Sequence, residues 1–444
     1  MPRTRDEGRP AADPDASGSG TFTILWQVGL AALVAIAFTA GFLVLYATLN
    51  DLVWDESGAL DSGRWMLPVL VLVFSLLVGL CRRYLRAPDV SHGGLVESMK
   101  GEGGTTDYRT FPGAFLSALF SLFSGASIGP EGAVAVLVGQ ISCFLRERLG
   151  IGSGSKEIAL GFDTAALASA FNGIVGNVLF TGIFATEVQV RGRNALRYLT
   201  WNLLAGAIGF LFYLRLGLPS FARSIPFAPF ADLEPAYILY AIALGIVGGL
   251  LAIGTGISLQ AIGTVVERTF GEDAIAKSLA AGGIIAFVGF FIPDLLFSGE
   301  AQIHAIIAQP SRVGVAMLLL MAALKILLLA LSFRSGYLGG PLFPLLFSAT
   351  MIGLALSLAF PGVPVAITVL CVEVAAVTLA LGAPLTAILL VAVVGSADPA
   401  MIVLLVISAV TAMIMAAEAK RMQQARRRHG AGAIAASGDS GRGD

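Results

Sequence analysis

Apolar stretches recur along the whole chain, many near or above ~18 residues, and short polar breaks separate them. Apolar and polar positions do not alternate with period two, which argues against a transmembrane β-barrel. The pattern predicts an all-α polytopic membrane protein. Helices are expected at about 22–49, 66–86, 111–124, 131–149, 155–170, 174–189, 194–216, 235–267, 276–292, 299–309, 311–333, 341–360, 364–381, 385–396 and 398–424. Several are too short to cross roughly 30 Å of hydrocarbon. Short helices broken by Gly and Pro are expected where helix ends meet at membrane depth around a binding site.

Two patterns occur twice. "SGASIGPEG" begins at Ser124 and "SGYLGGPLF" at Ser335, aligning as S-G-x-x-x-G-P at a spacing of 335 − 124 = 211. "FNGIVGNVLF" from Phe171 and "LGAPLTAILL" from Leu381 are 381 − 171 = 210 apart. The shared spacing predicts duplicated halves at 22–217 and 234–424, with a linker at 218–233. Residues 1–21 are polar and rich in Pro, Gly, Asp and Arg, and are expected to form a disordered cytoplasmic tail. Residues 425–444 are expected to be a flexible basic tail.

Composition agrees with a chain immersed in lipid. It is 56% hydrophobic and 13% charged, against roughly 25% charged in soluble domains, and its mean hydropathy is +0.84. A net charge of −1 suggests no nucleic-acid partner. Cys81, Cys143 and Cys371 lie in or beside apolar runs and read as small buried hydrophobes, not as a disulfide or metal set. The run 22–49 is too long for a signal-peptide core and shows no small-residue cleavage site. "CRRYLR" (81–86), "VRGRNALR" (190–197) and "KRMQQARRRH" (420–429) should face the cytoplasm. The acidic loop 51–64 should face outside. Both termini are then cytoplasmic, in an inner (plasma) membrane protein. No metal cluster, nucleophile triad or phosphate loop is legible, so no enzyme activity, cofactor or metal is assigned.

Each S-G-x-x-x-G-P segment precedes an apolar helix. Proline suits a first helical turn, and glycines let backbone approach a ligand. The first-turn N–H groups are unpaired and carry partial positive charge, so such a start attracts anions. Glu131, in the first copy only, is an acid at one such start. Its carboxylate can stand where a free anion would bind, and protonation would release the site. Glu131 therefore reads as a gate and proton carrier, against a plain capping acid as the alternative; acids in membrane helices are usually functional.

Five segments in order resemble the chloride-channel (CLC) family of anion channels and proton/anion antiporters, over nearly the whole membrane part. "GPEGA" (129–133) is similar to the G-[KR]-E-G-P signature and "GGPLFP" (339–344) to G-G-x-F-x-P. "GAPLTAILL" (382–390) resembles R-A-P-L-T, "FNGIVGNVLF" resembles F-N-A-P-L-A, and "SHGGLVES" (91–98) stands in place of G-S-G-I-P-E. The resemblance implies a CLC-like fold of two inverted-topology halves with many tilted and discontinuous helices, assembled as a homodimer in lipid. It implies backbone anion contacts at Gly129, Gly132, Ala133, Gly339, Gly340, Leu342 and Phe343, with Glu131 as gate. Gly93, Gly94 and Glu97 fall in the inner-gate segment.

Five departures accompany it. Gly93 stands where the family has an inner-gate serine. No tyrosine follows Tyr337, so the pore tyrosine is missing. Ile183 and Phe184 replace the internal glutamate of proton-coupled members; Glu187, about one turn on, and Glu373, in another apolar run, are the remaining internal acids. Pro341 lacks the N–H of a donor position. Pro130 replaces a basic residue. These losses imply weak chloride binding and weak or absent proton coupling. The expected function is transport of chloride or a similar small anion through a glutamate-gated pore. The alternatives are a proton-coupled chloride or fluoride antiporter, and a CLC-fold protein that binds another solute or a protein partner. His92 and His304 read as a loop histidine and a structural histidine, and Asn172 and Asn177 as inter-helix hydrogen-bonders.

Overall fold

The structure, a computed structural model, describes residues 21–54, 64–89, 107–152, 155–190, 195–217, 227 and 233–439. Sixteen α-helices run through the described residues. The first half holds α1 (Thr21–Trp54), α2 (Met66–Tyr84), α3 (Phe111–Phe123), α4 (Pro130–Leu149), α5 (Lys156–Ala170), α6 (Val178–Gln189) and α7 (Ala195–Arg215). The second holds α8 (Pro235–Phe270), α9 (Ala274–Phe291), α10 (Glu300–Ala308), α11 (Pro310–Val313), α12 (Val315–Arg334), α13 (Leu342–Ala359), α14 (Val365–Leu381), α15 (Pro384–Val394) and α16 (Pro399–Asp439). Eight of them are long and apolar enough to cross a membrane. The chain is a multi-pass membrane protein.

Small differences from the sequence reading have local causes. Expected helix 174–189 starts at Val178, because Phe171–Gly173 forms a 3₁₀ turn and the Asn177 side chain caps α6 at Phe180 N–H. Expected helix 311–333 divides at Gly314, whose φ is +80°. α16 continues to Asp439, through the described part of the segment expected to be a C-terminal tail. The run "KRMQQARRR" is rich in helix formers and no proline stops it. Most of the linker 218–233 lies outside the described residues.

The duplication is visible in the packing. α1 packs on α5 and α7, and the matched α8 packs on α14 and α16. The matched pair α2 and α9 meet each other along their length. A Cβ added to Gly79 would stand 2.4 Å from Ser278 Oγ, and one added to Gly282 would stand 2.3 Å from Ser75 Oγ. The sequence writes "SLLVG" from Ser75 and "SLAAG" from Ser278. The reciprocal contacts, Ser75 with Gly282 and Gly79 with Ser278, make the two helices antiparallel around a pseudo-twofold axis. Small residues at the crossing permit close backbone approach. Behind this axis lie α13 and α14, which are buried on nearly every face, as helices apolar all round must be.

Candidate functional site

Both S-G-x-x-x-G-P segments leave a helix through a left-handed glycine, Gly125 at φ +72° after α3 and Gly336 at φ +83° after α12. Those turns bring the segments together. Gly129 N–H donates to Gly340 O (2.8 Å), and Gly340 N–H donates to Gly129 O (2.7 Å). This antiparallel bridge joins matched residues of the two halves. The starts of α4 and α13 therefore face one another.

Glu131, fully buried in the first turn of α4, reaches across the bridge. Its Oε1 accepts the Leu342 N–H at 2.7 Å. Its Oε2 makes no hydrogen bond. The N–H groups of Phe343 and of Glu131 itself also act on the carboxylate. The group thus lies on the start of α13, with the helix dipole favouring its charge. The backbone must be bare around it. A Cβ on Gly129 would stand 2.0 Å from Oε2, and one on Gly340 would stand 2.2 Å from the carboxyl carbon.

One site expectation differs from the structure. Gly129 and Gly340 spend their N–H groups on each other in the bridge, so in this conformation they are not anion donors. Pro341, which lacks an N–H, is the N-cap of α13, and the Leu342 N–H that follows is the one on the Glu131 carboxylate. Gly132 and Gly339 meet directly, a Cβ on Gly132 standing 2.1 Å from Gly339 O. Ala133 is buried within α4. Gly93, Gly94, Glu97 and His92 lie outside the described residues.

The other acids do not join Glu131. Glu187, at the end of α6, caps α15: it accepts from Leu385 N–H (3.2 Å), Thr386 N–H (2.7 Å) and Thr386 Oγ1 (2.7 Å). Glu373 is buried in α14 and bonds Thr350 Oγ1 of α13 at 2.6 Å. Ile183 and Phe184 bring no titratable group, and Phe184 stacks on Phe171 (4.5 Å) and Phe180 (5.8 Å). Asn172 binds Thr181 Oγ1 (3.3 Å) and Gly206 O (3.0 Å), tying three elements together.

Several supports of the site escaped the sequence reading. Arg82 of α2 donates to Ser335 O (3.0 Å) and pairs with Asp89 (2.6 Å). The Tyr337 hydroxyl lies 2.7 Å from Ser278 O and 2.8 Å from Ser75 Oγ. Ser121 Oγ accepts Leu338 N–H at 3.0 Å. The segment 335–342 is therefore tied to the first half through Ser335, Tyr337, Leu338, Gly340 and Leu342, with Tyr337 also bound to Ser278 of the second half. The signal for Lys325 was available, since it is the one charged residue in the run 315–333.

Fold and site define a polytopic membrane protein whose two halves meet at opposed helix starts, with a buried carboxylate lying across them. The model of the voltage gated chloride channel family matches residues 73–417, and the chain belongs to that family. A curated Escherichia coli O127:H6 protein, "Putative ion-transport protein YfeO", is 26% identical over 362 residues, covering 76% of this chain and 81% of the relative. A crystallised CLC-type fluoride/proton antiporter superposes with a TM-score of 0.71 at 18% identity, covering 89% of this chain and 96% of its own. A slow cyanobacterial chloride/proton antiporter superposes at 0.72 and 19% identity, covering 88% and 93%. At such identities the two structures speak for the fold alone.

Proposed function

We propose that the protein moves a small inorganic anion, chloride or one like it, across an inner membrane through a path gated by Glu131. The observation that carries this reading is the Glu131 carboxylate seated on the Leu342 N–H at the start of α13. An anion and this carboxylate compete for one donor and one helix dipole. Protonation removes the carboxylate's claim, and the side chain swings aside. Ala133, Gly132, Gly339 and Phe343 line the vacated start. Proton coupling is weak or absent, because Ile183 and Phe184 offer no acid and Glu187 is occupied as a cap. The working unit is a homodimer with one path per subunit, as the family resemblance implies.

A second reading, exchange of anion for protons, is favoured by one observation: two structural neighbours are named as proton antiporters, one for fluoride and one for chloride. In that case Glu131 carries the proton itself, taking it from water on the inner side. Anion flux in liposomes with Glu131→Gln and Glu131→Ala tests the common claim. Wild type should move anion and respond to pH; both variants should lose the pH response. Wild type that moves no halide under any pH gradient contradicts it and favours a CLC-fold protein serving another solute or partner.

A further inference from the structure

Lys325 sits in the middle of α12 with no exposed surface. Its Nζ donates to the carbonyls of Leu295 (3.1 Å), Leu296 (3.3 Å) and Phe297 (2.7 Å). Three carbonyls within hydrogen-bond reach match the three N–H bonds of an ammonium, where a neutral amine has only two. Nζ also lies 4.8 Å from the centre of the Phe347 ring, on whose face a cation is favoured. Among the described residues no ion pair involves Lys325. The acids that act on it are Glu300 and Asp294. Glu300 is engaged by the Ser298 hydroxyl, and Asp294 is exposed. A positive charge here has backbone dipoles, a ring face and the fields of Glu300 and Asp294 to hold it. An apolar residue would pack there at far less desolvation cost, and charges inside membrane proteins are usually functional.

Its surroundings tie it to the site. Phe347 lies one turn beyond Phe343 on α13, roughly 6 Å along the axis. The carbonyl of Lys325 accepts the Ser127 hydroxyl at 3.3 Å, two residues before Gly129. Phe297, the shortest acceptor, holds φ +60°, a strained value for a bulky residue. Its N–H donates to Gly125 O (3.0 Å) and its ring packs edge-on to Trp54 at 5.1 Å. The turn is clamped so that its carbonyls converge on the ammonium. Pro130, meanwhile, leaves the segment around Glu131 without a basic residue.

We propose that Lys325 is the fixed positive charge of the anion path, acting at the start of α13 on whichever anion, carboxylate or inorganic, occupies it. The proposal rests on the anion-transport reading. It extends that reading to a residue that positions and attracts the anion without touching it. Glu300 and Asp294 are the acids that act on Lys325, and Glu300 acts on Glu131 as well; the lysine's charge offsets that negative field where an inorganic anion must enter.

The test is anion uptake into liposomes against anion concentration, for Lys325→Gln, Lys325→Met and Lys325→Arg. Gln removes the charge but keeps two donors for the carbonyls; Met removes both; Arg keeps the charge. Gln and Met should raise KM about tenfold, the effect of one charge over about 10 Å at an effective dielectric near ~20. The maximal rate should stay within about twofold, and Arg should keep the wild-type KM. A purely structural role would lower unfolding temperature and maximal rate in Met with KM unchanged. The rise of unfolding temperature with chloride in detergent gives a second readout, and it should shrink in Gln. An unchanged KM in Lys325→Gln overturns the proposal and leaves the transport reading standing. Wild type that neither moves anions nor is stabilised by them overturns both.

Discussion

At Glu131 one carboxylate oxygen holds a backbone donor and the other makes no hydrogen bond. The carboxylate is held by the Leu342 N–H, a charged hydrogen bond that nets only about 1.5–3 kcal/mol, with the N–H groups of Phe343 and Glu131 beside it. On the proposed reading, a small anion competes with it for those same donors. The same economy limits the anion. Gly129 and Gly340 donate to each other and Pro341 has no N–H, so few donors face the site. Chloride titrated by calorimetry in detergent should bind in the millimolar range or weaker; micromolar binding would contradict this. Gly340 is the complementary probe. A side chain there would meet the Glu131 carboxyl carbon at 2.2 Å, so Gly340→Ala should expel the carboxylate. Its flux should become as insensitive to pH as that of Glu131→Ala, and a normal pH response would show that the carboxylate works elsewhere.

At the scale of elements, the donors of α13 are only as well placed as the segment 335–342 that leads into it. Arg82 holds its first residue and is nearly buried, its side chain 6% exposed against 41% for Asp89. Arg82→Met removes the fork that binds Ser335 O and pairs with Asp89. We expect a loss of about 2 kcal/mol, seen as a lower unfolding temperature in detergent, with Arg82→Lys in between. No change in unfolding temperature would mean that the anchor is dispensable. These anchors were not legible in the sequence. Arg82 reads as one of several basic residues near a span end, and Tyr337 as an aromatic beside a glycine break. Their roles depend on contacts 253 and 262 residues apart along the chain. Helix positions were legible, because long apolar runs and Gly–Pro breaks are local signals. Where local rules competed, as at Asn177 and Gly314, boundaries moved by a few residues.

For the whole molecule, the repeat at Ser124 and Ser335 carried the essential geometry. It foretold two helix starts that converge, and Gly129 paired with Gly340 is that convergence. A third repeat, Ser75–Gly79 with Ser278–Gly282, went unread. Ser, Leu and Gly are common in such helices, and only the reciprocal packing gives the pattern meaning. The family membership accounts for the frame, and the departures at Pro130, Pro341, Ile183 and Phe184 say how this chain differs within it.

Glu131 is the group proposed to open the path. Its most direct test is anion flux from liposomes with proton movement recorded in parallel, for wild type and Glu131→Gln. Wild type should carry anion with little accompanying proton movement and with a rate that depends on pH, and Glu131→Gln should carry anion at a rate that does not. A variant that keeps the wild-type pH response would contradict the central claim.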